Sequence, residues 1–115
     1  MASVLVDTDV FIDHLRGSTE LVAGKHRLSY SVITRAELFA GNSATNACAT
    51  LLAPFKEIRV SRAIAERAGR VRRECGLRLP DALIAATALE GGLSLATRNT
   101  SDFSPVRGLR LRSLT

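Results

Sequence analysis

Ser3-Val4-Leu5-Val6-Asp7 is apolar at nearly every position and ends on a carboxylate. A short strand that is apolar on both faces belongs in the middle of a parallel sheet, where helices cover it from either side. Everything downstream fits that start. Val10, Phe11, Asp13, His14 and Leu15 recur at helical spacing until Gly17 stops them. Leu28-Ser29-Tyr30-Ser31 reads as a second strand, followed by a helical segment from about Thr34 to Ala40 that ends at Gly41. Residues 42–53 are helical in pattern and closed by Pro54, and a strand lies between Phe55 and Val60. Ser61 suits the N-cap of a basic amphipathic helix with Ile64, Ala68 and Val71 on one face, ending at Gly76.

Leu79-Pro80-Asp81 opens a further helix with proline in its first turn. That helix is small and apolar almost all round through Leu83, Ile84, Ala85, Ala86 and Ala88, so it should be deeply packed before Gly91-Gly92 ends it. Leu93 to Thr97 is another buried strand, and Leu109 to Leu114 alternates as an edge strand would. The order β-α-β-α-α-β-α-α-β-β predicts an α/β fold, a three-layer α/β/α sandwich around a mostly parallel sheet. At 115 residues the chain fits one domain, residues 1–115, and 46% hydrophobic content excludes a disordered chain. The longest apolar run, Ala82 to Leu89, is too short to span a bilayer, and no basic segment precedes an apolar one at the N-terminus. A soluble, cytoplasmic protein with no membrane partner is the expectation.

Cys48 and Cys75 could form at most one bridge and read better as small buried hydrophobes. His14 and His26 have no cysteine at ligand spacing, which argues against zinc. The charge is lopsided. Of the 16 basic side chains, 14 are arginine; residues 1–57 carry net −1 and residues 58–115 net +6. Arginine forks match phosphate oxygens, so the basic half suits a polyanionic partner, although a solvated Arg-rich surface gives the same arithmetic.

Four acids stand out by placement. Asp7 follows the first strand, Glu37 lies one turn into the helix after the second, Asp81 begins the apolar helix, and Asp102 sits in the loop after Thr97. Ligands of open α/β sheets bind beyond the carboxyl ends of the strands, and that edge can receive all four. Carboxylates gathered there repel one another unless protons or cations neutralise them, and hard oxygens favour Mg²⁺ or Mn²⁺. Beside a basic face, such a centre suits phosphodiester hydrolysis. Each acid also has a structural reading: Asp7 or Asp9 as a helix cap, Glu37 as the partner of Thr34 in a capping box, Asp81 at a helix's positive end, Asp102 in an Asx turn. Four such coincidences at one sheet edge are less economical than one site.

Val4-Leu5-Val6-Asp7-Thr8-Asp9-Val10-Phe11-Ile12-Asp13 resembles the opening motif of PIN-domain nucleases. Residues 31–41, 79–89 and 95–103 are similar to that family's second, third and fourth motifs, so the resemblance runs in order along the whole chain. The VapC toxins of bacterial toxin–antitoxin pairs are the subgroup it looks most like. The resemblance implies an endoribonuclease dependent on Mg²⁺ or Mn²⁺ that leaves 5′-phosphate and 3′-hydroxyl ends. It implies a VapB-type antitoxin as inhibitor and commonly a toxin homodimer. By position, Asp7, Glu37, Asp81 and Asp102 match the family's acidic metal-holding quartet, and Thr8, Thr97 and Asn99 its polar residues. Two departures stand out. Asp9 occupies a position where Asn or Ser is more usual, supplying an extra ligand or a cap, and the segment between Glu37 and Asp81 is short for the family. Arg98 follows the fourth strand and is a candidate phosphate clamp.

Two rivals use the same residues. Asp7-Thr8-Asp9-Val10 has the D-x-D-x-[TV] form of haloacid-dehalogenase-like phosphatases, in which the first Asp attacks phosphorus and the second acts as acid and base. That chemistry needs a later lysine, and only Lys25 and Lys56 are available. A non-catalytic RNA-binding module could use the arginines alone, but it would gain nothing from carboxylates that repel its phosphates.

Overall fold

The structure, a computed structural model, describes residues 2–114. Five strands, β1 (Ser3–Val6), β2 (Arg27–Ser31), β3 (Lys56–Ile58), β4 (Ser94–Ala96) and β5 (Leu111–Arg112), form one sheet in the order β3-β2-β1-β4-β5, every pair parallel. The strand that opens the sequence is therefore the central one. Its alternation divides the core. Leu5 points to the face covered by α4 (Arg62–Cys75) and α5 (Leu79–Gly91), where Ile64, Ala68, Val71, Ile84 and Ala85 are buried. Val4 and Val6 point to the other face, against Phe11 of α1 (Thr8–Leu15), Leu38 of α2 (Val32–Ala40) and Cys48 and Leu52 of α3 (Thr45–Leu52). The expected three layers are present.

Local chemistry sets the boundaries. Ser61 caps α4 by accepting from the Ile64 N–H at 3.1 Å, and Gly76, at φ 74°, ends it in the left-handed region that a side chain would oppose. Gly92, at φ 64°, does the same for α5. The small residues of α5 bury it almost all round, and Thr87 satisfies its hydroxyl on the Leu83 carbonyl at 2.7 Å. Among the described residues, no helix is long and apolar enough to cross a membrane. Cys48 and Cys75 are free thiols, the first fully buried and the second half-buried.

Several boundaries differ from the sequence expectation; α3 begins at Thr45 rather than at residue 42, and β4 is trimmed to Ser94–Ala96. The α2 helix begins at Val32 because Ser31, not Thr34, is its N-cap, its hydroxyl accepting from the Ile33 N–H at 3.1 Å. The expected strand over 109–114 shrinks to Leu111–Arg112 at the sheet edge, where only β4 offers a pairing partner. Asp102 sits not in a plain loop but on a single helical turn, α6 (Thr100–Phe103), pinned by the buried ring of Phe103.

The chain lays β1, β2 and β3 outward in one direction, then crosses to place β4 and β5 on the other side of β1. The order reverses between β1 and β4. Their carboxyl ends form the crevice where an open α/β sheet receives its ligand.

Candidate active site

At that crevice the register sets Val6 beside Ala96, and the Asp7 N–H donates to the Ala96 carbonyl at 2.9 Å. Asp7 and Thr97 are thus the first residues beyond the two central strands. The Thr97 hydroxyl donates to Asp7 Oδ2 at 2.8 Å, while Asp7 Oδ1 accepts from the Thr8 N–H at 2.8 Å and caps α1. Asp7, rather than Asp9, is therefore the cap. It does so while buried, and burial, reinforced by the neighbouring charges of Asp9 and Asp81, pushes its carboxyl up to about 7 against the pull of Thr97 and Thr8.

Glu37 reaches the same cleft from α2. Its Oε1 accepts from the Thr8 hydroxyl at 2.6 Å, and the Thr8 and Thr34 hydroxyls lie 3.0 Å apart. Thr8 has one proton to give and gives it to Glu37, so Thr34 donates to Thr8. The capping-box reading of Thr34 and Glu37 is overturned: both lie inside the helix and face the site. Asp81, in the first turn of α5, is raised above the usual carboxylate range by burial and by the charges of Glu37 and Asp102, against the pull of Arg78. These carboxylates are close enough to feel one another's charge.

Asp7, Thr8, Asp9, Glu37, Asp81, Asn99 and Asp102 line one cleft of about 240 Å³, together with Ile12 and Arg78. Thr97 stands beneath it, its hydroxyl accepting from the Asn99 N–H at 3.0 Å and so setting the turn that presents Asn99. Asp9 Oδ2 accepts from the Arg98 N–H at 3.1 Å, and its Oδ1 is buried without a partner among the described residues. Burial raises the Asp9 carboxyl as well.

Arg98 is placed differently from its neighbours. Its Nε forms an ion pair with Asp13 Oδ2 at 2.8 Å, turning the side chain toward α1 rather than into the acidic cleft. Sequence reasoning passes over Asp13 as a site residue, yet it lies four residues after Asp9, on the same helical face, and both meet Arg98. It passes over Arg78 too, although the i,i+3 spacing to Asp81 is visible in the sequence.

Oxygen donors of this kind fit a hard divalent cation. Among the described residues no three acidic, histidine or cysteine side chains close into a ready cage. An open cleft of carboxylates instead suits Mg²⁺, which keeps several waters and takes one or two carboxylates. The raised Asp7 and Asp81 and the unpaired Asp9 oxygen are groups whose charge a cation would compensate.

The PIN-domain family profile matches residues 4–109. The chain belongs to the PIN-domain family. Ribonuclease VapC10 of Mycobacterium tuberculosis is 40% identical over 113 residues, covering 87% of this chain and 85% of that one, so this is the VapC branch of the family. A toxin–antitoxin complex from Klebsiella pneumoniae superposes with a TM-score of 0.77 at 32% identity over 97% of this chain and 98% of that one. The DNA-bound VapBC of Salmonella typhimurium shares the fold, with a TM-score of 0.83 at 21% identity over 100% of both chains. Membership of this PIN family displaces the dehalogenase-like reading of Asp7 and Asp9, and no lysine is among the residues lining the cleft.

Proposed function

We propose that this PIN domain, a single unit over residues 1–115, is a VapC-type endoribonuclease toxin. It acts on RNA in the cytoplasm with Mg²⁺ or Mn²⁺, forms a homodimer, and is neutralised by a VapB-type antitoxin. The observation that carries the reading is the meeting of Asp7, Glu37, Asp81 and Asp102, from four separate elements, in one cleft at the switch point of the sheet. The 40% identity to a VapC ribonuclease and the likeness to a toxin–antitoxin complex support the substrate class and the partner.

In this reading the four carboxylates hold the cation, with Asp9 within reach. A divalent ion held there would supply Lewis-acid polarisation and a water of lowered pKa. The chain's own contribution is placement. Thr97 fixes the Asp7 carboxylate from β4, and Thr8, backed by Thr34, fixes Glu37 from α1, so that two ligands are locked by side chains from other elements. A water oxygen adds to phosphorus, the bond to the 3′-oxygen breaks, and the departing 3′-oxygen takes a proton, leaving 5′-phosphate and 3′-hydroxyl ends. No serine, cysteine or histidine is among the described residues lining the cleft.

The test is induced expression followed by sequencing of new RNA ends. Discrete cleavage sites carrying 5′-phosphates, absent with Asp81→Asn, are expected. Intact RNA, with purified protein also inactive in both Mg²⁺ and Mn²⁺, would overturn the reading.

A further inference from the structure

A phosphodiester is an anion, and the cleft it must enter is walled by five carboxylates. A cation held by those carboxylates offsets part of that charge, but positioning the strand also calls for a donor aimed at the phosphate oxygens. Among the described residues lining the cleft, Arg78 is the one cationic side chain. Its Nε stands 3.9 Å from Asp81 Oδ2, outside hydrogen-bond range, and the side chain is 79% exposed. No hydrogen bond to a described residue holds its guanidinium. Arg98 is the contrast, its Nε being spent on Asp13.

The backbone beneath Arg78 is fixed. Arg78 is the N-cap residue of α5, in extended conformation, with Pro80 stiffening the first turn. The preceding turn is held by Arg72, whose Nη1 donates to the Leu77 carbonyl at 2.7 Å. The positive end of the 13-residue α5 helix adds to the guanidinium's field at the same point. A fork with no hydrogen bond to a described residue, paired only loosely with Asp81 and carried on a rigid cap at the rim of the cleft, is suited to bidentate capture of phosphate.

We propose that Arg78 binds a non-bridging oxygen of the RNA phosphate at the scissile bond and is a catalytic residue of this chain. The proposal rests on the ribonuclease reading above. Its competitor is that Arg78 only serves as counter-ion to Asp81. The two roles separate because a phosphate contact appears in the salt dependence of RNA binding, whereas a counter-ion appears in the affinity for the metal.

The experiment compares the protein with its Arg78→Ala and Arg78→Lys variants. Binding of a labelled, mixed-sequence single-stranded 12-mer RNA is titrated in Ca²⁺ over a range of NaCl. Arg78→Ala should reduce the slope of log affinity against log salt by about 0.7, one phosphate contact on a single strand, and Arg78→Lys should largely keep it. Cleavage at a mapped site in Mg²⁺ should fall roughly 100-fold in Arg78→Ala, with partial recovery in Arg78→Lys, which keeps the charge but loses the fork. An unchanged salt slope in Arg78→Ala overturns the proposal, and tighter Mg²⁺ binding alongside it assigns the counter-ion role. Wild-type protein that cuts no RNA overturns the ribonuclease reading itself. Wild-type protein that cuts, beside an Arg78→Ala variant that cuts and binds equally well, overturns only the Arg78 assignment.

Discussion

Asp7 and Thr97, 90 residues apart in sequence, are joined by a 2.8 Å hydrogen bond that ties the end of β1 to the end of β4. That bond draws a carboxylate into a nearly dry position, 4% exposed, beside Asp9. With the carboxyl pushed up to about 7, against 3.8 for the unperturbed group, the folded metal-free protein holds a proton that the unfolded chain releases. Stability from this group is therefore fully present below pH 4 and lost as pH rises through 7.

Asp7→Asn should remove that loss. The stability of the metal-free wild type relative to Asp7→Asn is expected to decline between pH 4 and 7 by up to a few kcal/mol, because each pH unit crossed while only the folded chain keeps its proton costs about 1.4 kcal/mol. Urea unfolding of both proteins in EDTA across this range is the measurement. Parallel curves would mean that Asp7 is ionised throughout. Cation binding displaces the same proton, so Mg²⁺ affinity should weaken as pH falls below 7.

At Glu37 the helix-start role and the site role are now separable. Ser31 caps α2, and Glu37 accepts from Thr8 instead. Glu37→Gln should fold with a melting temperature at or slightly above wild type in EDTA and lose most Mg²⁺-dependent cleavage, because a neutral amide binds the cation far more weakly. Ser31→Ala, by contrast, should cost about 1 kcal/mol of stability. A Glu37→Gln protein that cuts RNA at the wild-type rate would remove Glu37 from the metal-holding set.

How far the sequence could be read depended on the range of the interaction. The run from Ser3 to Asp7 announces a buried central strand because a continuous apolar run is a local property, and the carboxylates are legible because each lies within a turn or a short loop of a strand end or a helix start. Thr34 illustrates the limit. Thr34-Arg35-Ala36-Glu37 has the spacing of a capping box, but its actual hydroxyl partner is Thr8, 26 residues away, and nothing local encodes that contact. The direction of Arg98 was equally hidden, since Asp13 becomes its neighbour only once α1 packs beside the β4 turn. Arg78 belongs to no motif, and its significance lies in its place on the cleft wall with only a loose ion pair to Asp81, which nothing local encodes.

The basic helix α4 is not uniform. Arg67 pairs with Glu90, and Arg72 holds the Leu77 carbonyl, whereas Arg70 and Arg73 are exposed and outside any salt bridge among the described residues. If α4 tracks RNA, Arg70→Ala with Arg73→Ala should flatten the salt slope of RNA binding by about one to two units at unchanged stability. Arg72→Ala should instead cost about 1 kcal/mol by freeing the carbonyl before α5, with little effect on the slope. Loss of a protein partner by the double variant, at unchanged slope, would make this face a protein interface.

Arg98 separates a structural tie from a substrate contact. Its Nε meets Asp13 at 2.8 Å, and the Asp13 side chain is only 10% exposed while Arg98 is 59% exposed. Removing the arginine leaves a nearly buried carboxylate without its partner, a larger penalty than the half-exposed ion pair itself contributes. Arg98→Ala is therefore expected to destabilise the fold by roughly 1–2 kcal/mol, discounted for the exposure of the guanidinium. Adding Asp13→Asn should restore part of that loss, because the unpaired charge goes with it. The Asp9 contact from the Arg98 backbone N–H survives both changes, so the cleft should keep its shape. Chemical unfolding of the two single variants and the double variant gives the coupling between the residues. The RNA salt slope of Arg98→Ala should match wild type, since a guanidinium turned toward Asp13 contributes no phosphate contact. A reduced slope at undiminished stability would reverse the assignment and make Arg98 the phosphate clamp that its place after β4 first suggested.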